Sequence, residues 1–150
     1  MKNVKIVTDK NILIDKAPVH SIIHKIVKRE NFSISSLQIN ILNSDYILDL
    51  NKEYLKHNYN TDVITFNYSG SNKNLDGEIF ISFQDALGNA LKFNVHLDIE
   101  ILRLIIHGIL HLQGFDDTTS KKKKIMVAKE NELVEFIQSD YRNIIIKYDC

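Results

Sequence analysis

The sequence predicts a single α+β domain in which a mixed sheet of four to five strands packs against helices. Strand patterns are interleaved with helical patterns up to about residue 83, and three consecutive helical patterns follow. The length of 150 residues is typical of one domain, and no repeat, low-complexity tract or linker interrupts the chain. Residues 1–150 are therefore assigned to one domain.

The first part of the chain alternates strands with helices. Alternating apolar residues predict a strand over Val4–Val7, and an amphipathic helix is predicted over Lys16–Glu30. A half-buried strand is predicted over Ser36–Leu42. Ser44 is then predicted to cap a helix that runs to about Lys56.

The second part of the chain is mainly helical. Two strands are predicted over Asp62–Tyr68 and Glu78–Phe83, and the Ser-, Asn- and Gly-rich loop between them, Ser69–Gly77, should be exposed. The three predicted helices that follow are Gln84–Phe93, Leu97–Gln113 and Ser120–Gln138. The tail Asp140–Cys150 contains three consecutive isoleucines and is expected to add a last strand or to pack on the surface.

Charge and composition exclude several classes of protein. Nineteen basic residues balance nineteen acidic residues, so no global field attracts nucleic acid or membrane. The one cysteine, Cys150, cannot form an internal disulfide and is expected to be inert. Residues Met1–Asn11 carry no signal-peptide core, and the apolar segment Leu97–Leu112 is too short and too polar to span a bilayer. We expect a cytoplasmic protein with no membrane partner.

Two histidines on the most apolar helix give the clearest chemical signal. His107 and His111 are four residues apart, which places both rings on one face of a helix, where they can chelate a single ion. The helix is apolar nearly all round and should be largely buried, apart from one stripe formed by Glu100, Arg103 and these two histidines. Buried imidazoles need partners, and a metal ion would serve both.

A glycine turn follows the second histidine. Gly114 is typical of the residue just past a helix end, and a turn there brings Asp116 or Asp117 back toward the ion. Asp117 completes the spacing His-x3-His-x2-Gly-x2-ligand of the metzincin zinc proteases. The sequence thus predicts one divalent metal ion, in the first place Zn²⁺, at the end of a buried helix, with His107, His111 and Asp117 as ligands.

Two features limit how far this pattern can be extended. Zinc proteases place Glu directly after the first histidine as the general base, but Gly108 stands there and cannot accept a proton. The spacing alone is also not specific, because His20 and His24 share it. No glycine turn and carboxylate follow that pair, so we do not expect it to bind metal.

The stretch His107–Asp117, HGILHLQGFDD, resembles the signature HGxLHLxGYDH of the YbeY family of single-strand-specific metallo-endoribonucleases, which mature ribosomal RNA. Three upstream segments resemble further motifs of this family, in the same order. They are Leu50–Tyr54 (LNKEY, similar to LNxxYR), Thr61–Phe66 (TDVITF, similar to TDVLSF) and Gly77–Ser82 (GEIFIS, similar to GDIxIS). Together the four matches cover about residues 50–117.

The resemblance implies a small α+β fold and zinc bound by His107, His111 and Asp117. It also implies a cytoplasmic enzyme that works with the ribosome or its small subunit on precursor 16S rRNA, in 3′-end maturation and ribosome quality control. We expect a monomer.

Two positions depart from the family pattern. The third ligand is usually His, and Asp117 makes the site one charge more negative and less selective against manganese or iron. The Arg after the motif tyrosine is replaced by Leu55. If that Arg contacts phosphate, Lys56 and His57 are the nearest replacements.

Three protein ligands leave a fourth position for water, as in catalytic zinc sites. The ion is expected to activate either water or the RNA 2′-hydroxyl for attack on a phosphodiester, and the sequence leaves both open. Asp62, Glu78 and Asp116 are possible bases or orienting groups, although strand-end hydrogen bonds are the more ordinary use of Asp62 and Glu78. Lys121 and Lys124 are candidate phosphate contacts, with a solvated helix start as the alternative.

The sequence is also compatible with three other functions. A metallopeptidase is supported by the ligand spacing and opposed by Gly108. Two histidines and one carboxylate are also the ligand set of non-haem iron oxygenases, and a non-catalytic ribosome-assembly factor could hold a structural metal. Tyr59, Phe66 and Tyr68 could stack on bases, although core packing is the default for Phe66.

Overall fold

The computed structural model describes residues 3–54, 62–138 and 145–148. The strands in these ranges are β1 (Val4–Thr8), β2 (Ile12–Ile14), β3 (Ser33–Leu42), β4 (Val63–Asn67), β5 (Asn74–Ser82) and β6 (Ile145–Tyr148). The helices are α1 (Lys16–Glu30), α2 (Ser44–Tyr54), α3 (Phe83–Phe93), α4 (Leu97–Leu112) and α5 (Ser120–Gln138).

The sheets confirm the predicted fold class. Four strands form a mixed sheet in the order β1-β3-β5-β4, in which β1, β3 and β5 are parallel and β4 is antiparallel to β5. The tail does add a strand, β6, but it pairs with β2 in a separate two-stranded sheet. The sequence pattern did not predict β2, because three residues are too few to show a period.

One face of the four-stranded sheet carries the core and the helix α4. The pairs Ile39–Ile79 and Ile41–Ile81 lie side by side on this face and are fully buried. Gly108 of α4 rests directly on Ile79, because a Cβ at position 108 would lie 2.7 Å from the Ile79 Cδ1 atom. The missing side chain therefore lets α4 approach the sheet closely, and this contact fixes the position of the helix that carries the two histidines.

The opposite face of the sheet is more polar and more open. Strand alternation places Gln38, Asn40 and Glu78 on this face. Phe80 lies beside them, and Tyr46 of α2 stacks on it with ring centroids 6.4 Å apart. We call this surface the open face.

Several predicted boundaries are wrong, among them the start of β3, which lies at Ser33 and not at Ser36. The segment Ser69–Gly77 is not all loop, because β5 begins at Asn74 and pairs with β3 from Ser33 onward. Burial of Leu75, which is 1% exposed, outweighs the loop-like composition of its neighbours. In addition, Ser44 is the first residue of α2 and not its cap, while the predicted end near Lys56 lies outside the described residues.

Candidate metal centre

The end of α4 has the hydrogen bonds of a Schellman turn. The Gly114 N–H donates to the His111 carbonyl at 3.0 Å, and the Phe115 N–H donates to the Leu110 carbonyl at 3.0 Å. Gly114 has a φ of +100°, which other residues rarely adopt. The turn reverses the chain and brings Asp117 back toward the histidines, as the spacing predicts.

The turn brings three possible metal ligands together. Donor atoms of His107, His111 and Asp117 all lie within 4.8 Å of one another. The two rings are half-buried and the carboxylate is exposed, so the cluster lies at the surface, at the end of a buried helix. One nitrogen from each ring and one carboxylate oxygen form a donor set that could hold a divalent cation.

A buried carboxylate on α5 holds the first histidine. His107 Nδ1 donates to Glu130 Oε2 at 2.7 Å, and Glu130 is only 4% exposed. This bond occupies Nδ1 and leaves Nε2 as the nitrogen that can bind a metal ion. The residues present therefore fit a metal site: the histidine is already oriented by the kind of partner that metal-binding histidines have.

The Glu130 carboxylate belongs to a longer polar network. Arg103 of α4 donates to Glu130, and its Nε donates to Glu100 at 2.8 Å. Asn89 Nδ2 lies 3.0 Å from the Glu100 carboxylate and 3.2 Å from that of Asp62, next to β4. The network thus ties α5, α4 and α3 to the edge of the sheet. Asp62 lies at its far end, in the strand-end role that the sequence offered as its alternative.

The surroundings shift the proton affinity of several groups. Burial lowers the pKa of His111, and the neighbouring His107 lowers it further. Burial alone would raise the pKa of Glu130, but hydrogen bonds with His107 and Arg103 outweigh it and hold this pKa below its ordinary value. A neutral imidazole beside an ionised carboxylate is the protonation state that suits cation binding.

Asp116, next to the metal loop, serves a structural turn. Its Oδ1 accepts hydrogen bonds from the Thr118 backbone N–H at 3.1 Å and from the Thr118 hydroxyl at 2.8 Å. Its Oδ2 lies 3.6 Å from the Lys122 ammonium group. The bonds from Thr118 lower the pKa of Asp116, which makes it a weak proton acceptor.

The remaining predicted residues lie apart from the three candidate ligands. Glu78 faces the open side of the sheet, whereas α4 packs on the other side, so the structure does not bring Glu78 to the metal cluster. Lys121 and Lys124 are exposed in the first turns of α5. Lys56 and His57 lie outside the described residues, as do Leu55, Tyr59 and Cys150.

The contact of Glu130 with His107 was not predicted from the sequence. A signal was present, because the buried positions of α5 are Met126, Glu130, Leu133 and Ile137. An acidic residue in the apolar stripe of a helix requires a buried partner. That partner could not be identified from the chain order, since Arg103 and His107 come from another helix.

Comparison with known proteins agrees with this geometry. A family model described as Endoribonuclease YbeY matches residues 4–138. The chain belongs to the YbeY family. Its relatives carry the name of a hydrolytic nuclease, which confirms the enzyme class expected from the motifs.

Individual YbeY relatives cover most of the chain. The Endoribonuclease YbeY of Karelsulcia muelleri is 41% identical over 116 residues, which are 77% of this chain and 82% of that protein. The corresponding protein of Cytophaga hutchinsonii is 36% identical over 116 residues, or 77% and 81% of the two chains. The solution structure of TM1509 from Thermotoga maritima matches with a TM-score of 0.62 and 25% identity, and covers 91% of this chain and 90% of its own. In the described part of this chain, no helix is long and apolar enough to cross a bilayer.

Proposed function

We propose that the protein is a zinc-dependent, single-strand-specific endoribonuclease of 16S rRNA 3′-end maturation and ribosome quality control. The observation that carries this proposal is the convergence of His107, His111 and Asp117 within 4.8 Å in a chain of the YbeY family. We further propose that it acts in the cytoplasm, as a monomer, on precursor 16S rRNA at the ribosome or its small subunit.

The proposed role of each residue in metal binding follows from its contacts. Glu130 binds Nδ1 of His107 and leaves Nε2 to bind the cation. The lowered pKa of His111 keeps that ring available, and the Gly114 turn places the Asp117 carboxylate beside the two rings. When bound, a divalent ion supplies a Lewis acid for the phosphoryl group and lowers the pKa of water toward about 7. Three ligands from the described residues, against the four of a structural zinc site, favour catalysis over a purely structural metal.

The substrate would approach from the exposed side of the cluster. Asp117 is exposed, and the lysine run that begins at Lys121 follows directly on α5. We propose that Lys121 and Lys124 contact phosphates, with Lys56 and His57 as further candidates. Because Thr118 and Lys122 engage both oxygens of Asp116, we propose that Asp116 shapes the loop and does not accept the proton.

Labelled RNA tests the proposed activity. Wild type and Asp117→Ala are incubated with a single-stranded RNA and with a duplex of the same sequence, with and without chelator, and metal content is measured for both proteins. We expect cleavage of the single strand alone, abolished by chelator, and loss of metal and cleavage together in the variant. Chelator-sensitive cleavage of casein with intact RNA would favour the metallopeptidase instead.

The identity of the metal has its own test. Because a carboxylate at position 117 is less selective than the usual imidazole, the variant Asp117→His should retain metal and raise the ratio of zinc to manganese and iron. Metal analysis of both purified proteins measures this ratio. Iron dominance in the wild type, together with activity toward an oxidisable substrate and none toward RNA, would support the iron oxygenase reading.

A further inference from the structure

A groove of about 740 Å³ lies on the open face of the sheet, on the opposite side from α4. Its size is in the range of sites that bind small organic molecules. Its polar and aromatic lining includes Gln38, Asn40, Tyr46, Tyr68, Glu78 and Phe80. None of the metal ligands lines it.

A line of hydrogen-bonded polar groups crosses the groove. Gln38 Nε2 donates to Asn40 Oδ1 at 2.8 Å, and Asn40 Nδ2 donates to Glu78 Oε2 at 3.2 Å. The Tyr68 hydroxyl donates to Glu78 Oε1 at 2.9 Å. Two protein donors therefore fix the carboxylate in place. Since a carboxylate has about four acceptor positions, each oxygen can accept one more hydrogen bond.

Exposed aromatic rings lie beside this carboxylate. Tyr46 is 53% exposed although it stacks on Phe80 with an angle of 21° between the rings, and Tyr68 is 59% exposed. Large exposed aromatic groups next to fixed hydrogen-bonding groups are the elements with which proteins bind unpaired nucleobases. Tyr68 was one of the residues that the sequence marked for stacking.

The charge of the groove selects the part of a nucleotide that can enter. Among the described lining residues there are two carboxylates, Asp9 and Glu78, and no lysine, arginine or histidine. Asp9 accepts a hydrogen bond from the Asn43 N–H, whereas Glu78 faces the groove with acceptor positions to spare. This acidic lining repels phosphate and attracts a flat neutral ring with N–H donors.

We propose that the groove binds an unpaired guanine of the RNA substrate, with Glu78 as the group that recognises its Watson–Crick edge. Guanine has two neighbouring donors, N1–H and the 2-amino group, and both can reach one carboxylate. Uracil has one donor between two carbonyl groups, while adenine and cytosine pair their amino group with an acceptor nitrogen. The inference rests on the proposed function, because the RNA that would place a base in the groove is the proposed substrate.

Nucleosides test the groove without involving the phosphate contacts. The ¹⁵N-labelled, zinc-loaded full chain is titrated with guanosine, inosine and uridine, and dissociation constants are taken from the side-chain amide signals of Gln38 and Asn40. Inosine matches guanosine except for the 2-amino group, and one hydrogen bond to a carboxylate is worth about a tenfold change in affinity. We expect guanosine to bind about tenfold more tightly than inosine, and uridine to bind no better than inosine.

Two variants connect this preference to one side chain. Glu78→Gln keeps the shape and an acceptor for the existing bonds, and should bring guanosine and inosine to within about twofold of each other. Asp76→Asn is the matched control, since Asp76 lies two residues earlier on the same strand and face but does not line the groove. That variant should keep the wild-type preference.

Equal binding of the three nucleosides would overturn the inference, as would an unchanged preference in Glu78→Gln. Signal changes confined to residues around Asp117 would also overturn it, because they would place the base at the metal cluster. Nucleoside binding is measured without cleavage, so a failure of the proposed activity would appear only in the RNA assay. Guanine preference in the titration with no RNA cleavage would uphold the base site and reject the nuclease.

Discussion

Two histidine pairs in this chain have the same spacing and different surroundings. On α1, His20 Nδ1 is buried without a hydrogen-bond partner in the described part of the chain, and His24 is exposed. On α4, Glu130 holds His107, and a glycine turn brings Asp117 to within 4.8 Å of both rings. The i, i+4 spacing by itself therefore only places two rings on one side of a helix. On α4, the buried carboxylate and the turn that follows add the partner and the third donor that a metal site needs.

Removing one imidazole ring from each pair tests whether only the α4 pair binds zinc, and it has the largest expected effect. His111→Ala should weaken zinc binding by more than about 100-fold, because it deletes a direct ligand, while the stability of the fold changes modestly. His24→Ala should leave zinc affinity unchanged. Competition with a chromophoric chelator measures both. Equal losses in the two variants would show that the α1 pair also contributes to metal binding.

The role of the buried carboxylate can be tested with an isosteric change. Glu130→Gln should weaken zinc binding by about 10- to 100-fold, since the orienting charge on His107 is lost. Glu132→Gln is the control, because Glu132 lies on the same helix and bonds Lys129 at the surface. Circular dichroism confirms folding of both variants. Unchanged zinc affinity in Glu130→Gln would mean that the Glu130–His107 bond is only structural.

Substituting the glycine of the turn that follows the α4 pair should have a smaller effect, on stability and on zinc binding. Gly114→Ala places a Cβ on a backbone with φ of +100° and 3.0 Å from the Asn72 side chain, and should cost about 1–2 kcal/mol. It should also weaken zinc binding by displacing Asp117. Gly88→Ala, in the helix α3 with nothing within 4 Å of the added Cβ, should stabilise the protein by about 0.5–1 kcal/mol. Urea denaturation measures both, and equal stability changes would contradict this account.

The smallest expected effect is a pH dependence of stability, to which one histidine of each pair contributes. Burial lowers the pKa of His20 and of His111 in the folded protein. The unfolded chain therefore binds more protons below about pH 6.5, so stability is full above that pH and decreases as the pH falls toward the folded-state values. Denaturation of the metal-free protein at pH 7.5 and pH 5.5 checks the sign. Higher stability at pH 5.5 would contradict it.

The sequence predicted the long helices most accurately. The bounds of α1 and α5 agree with the structure because 15 and 19 residues show a clear helical pattern. The strand β2 was missed because its three residues are too few to show a period. The beginning of β5 was missed because it depends on pairing with β3, which lies far away in sequence. Local patterns specify helices better than they specify strand pairing.

The same distinction applies to the candidate site. The candidate ligands His107, His111 and Asp117 lie within eleven consecutive residues, so their convergence is a local property of one helix end. Glu130 reaches the site from another helix, and this contact depends on how α4 and α5 pack. Glu78 was predicted as a possible base or orienting group at the metal ion. Its neighbours Gly77 and Ile79 face the core, so strand alternation turns Glu78 to the opposite side of the sheet.

The close contact at Gly108 also bears on how the chemistry of this scaffold could evolve. A Cβ at position 108 would lie 2.7 to 2.9 Å from three carbon atoms of Ile79, Cδ1, Cγ2 and Cγ1, so either the Ile79 side chain or the helix would have to shift. A single substitution to the glutamate of zinc proteases would therefore require α4 or the Ile79 side chain to move away from its present position. A steric barrier in the core thus opposes a glutamate at this position, even though the spacing of the candidate ligands is the one found in zinc proteases.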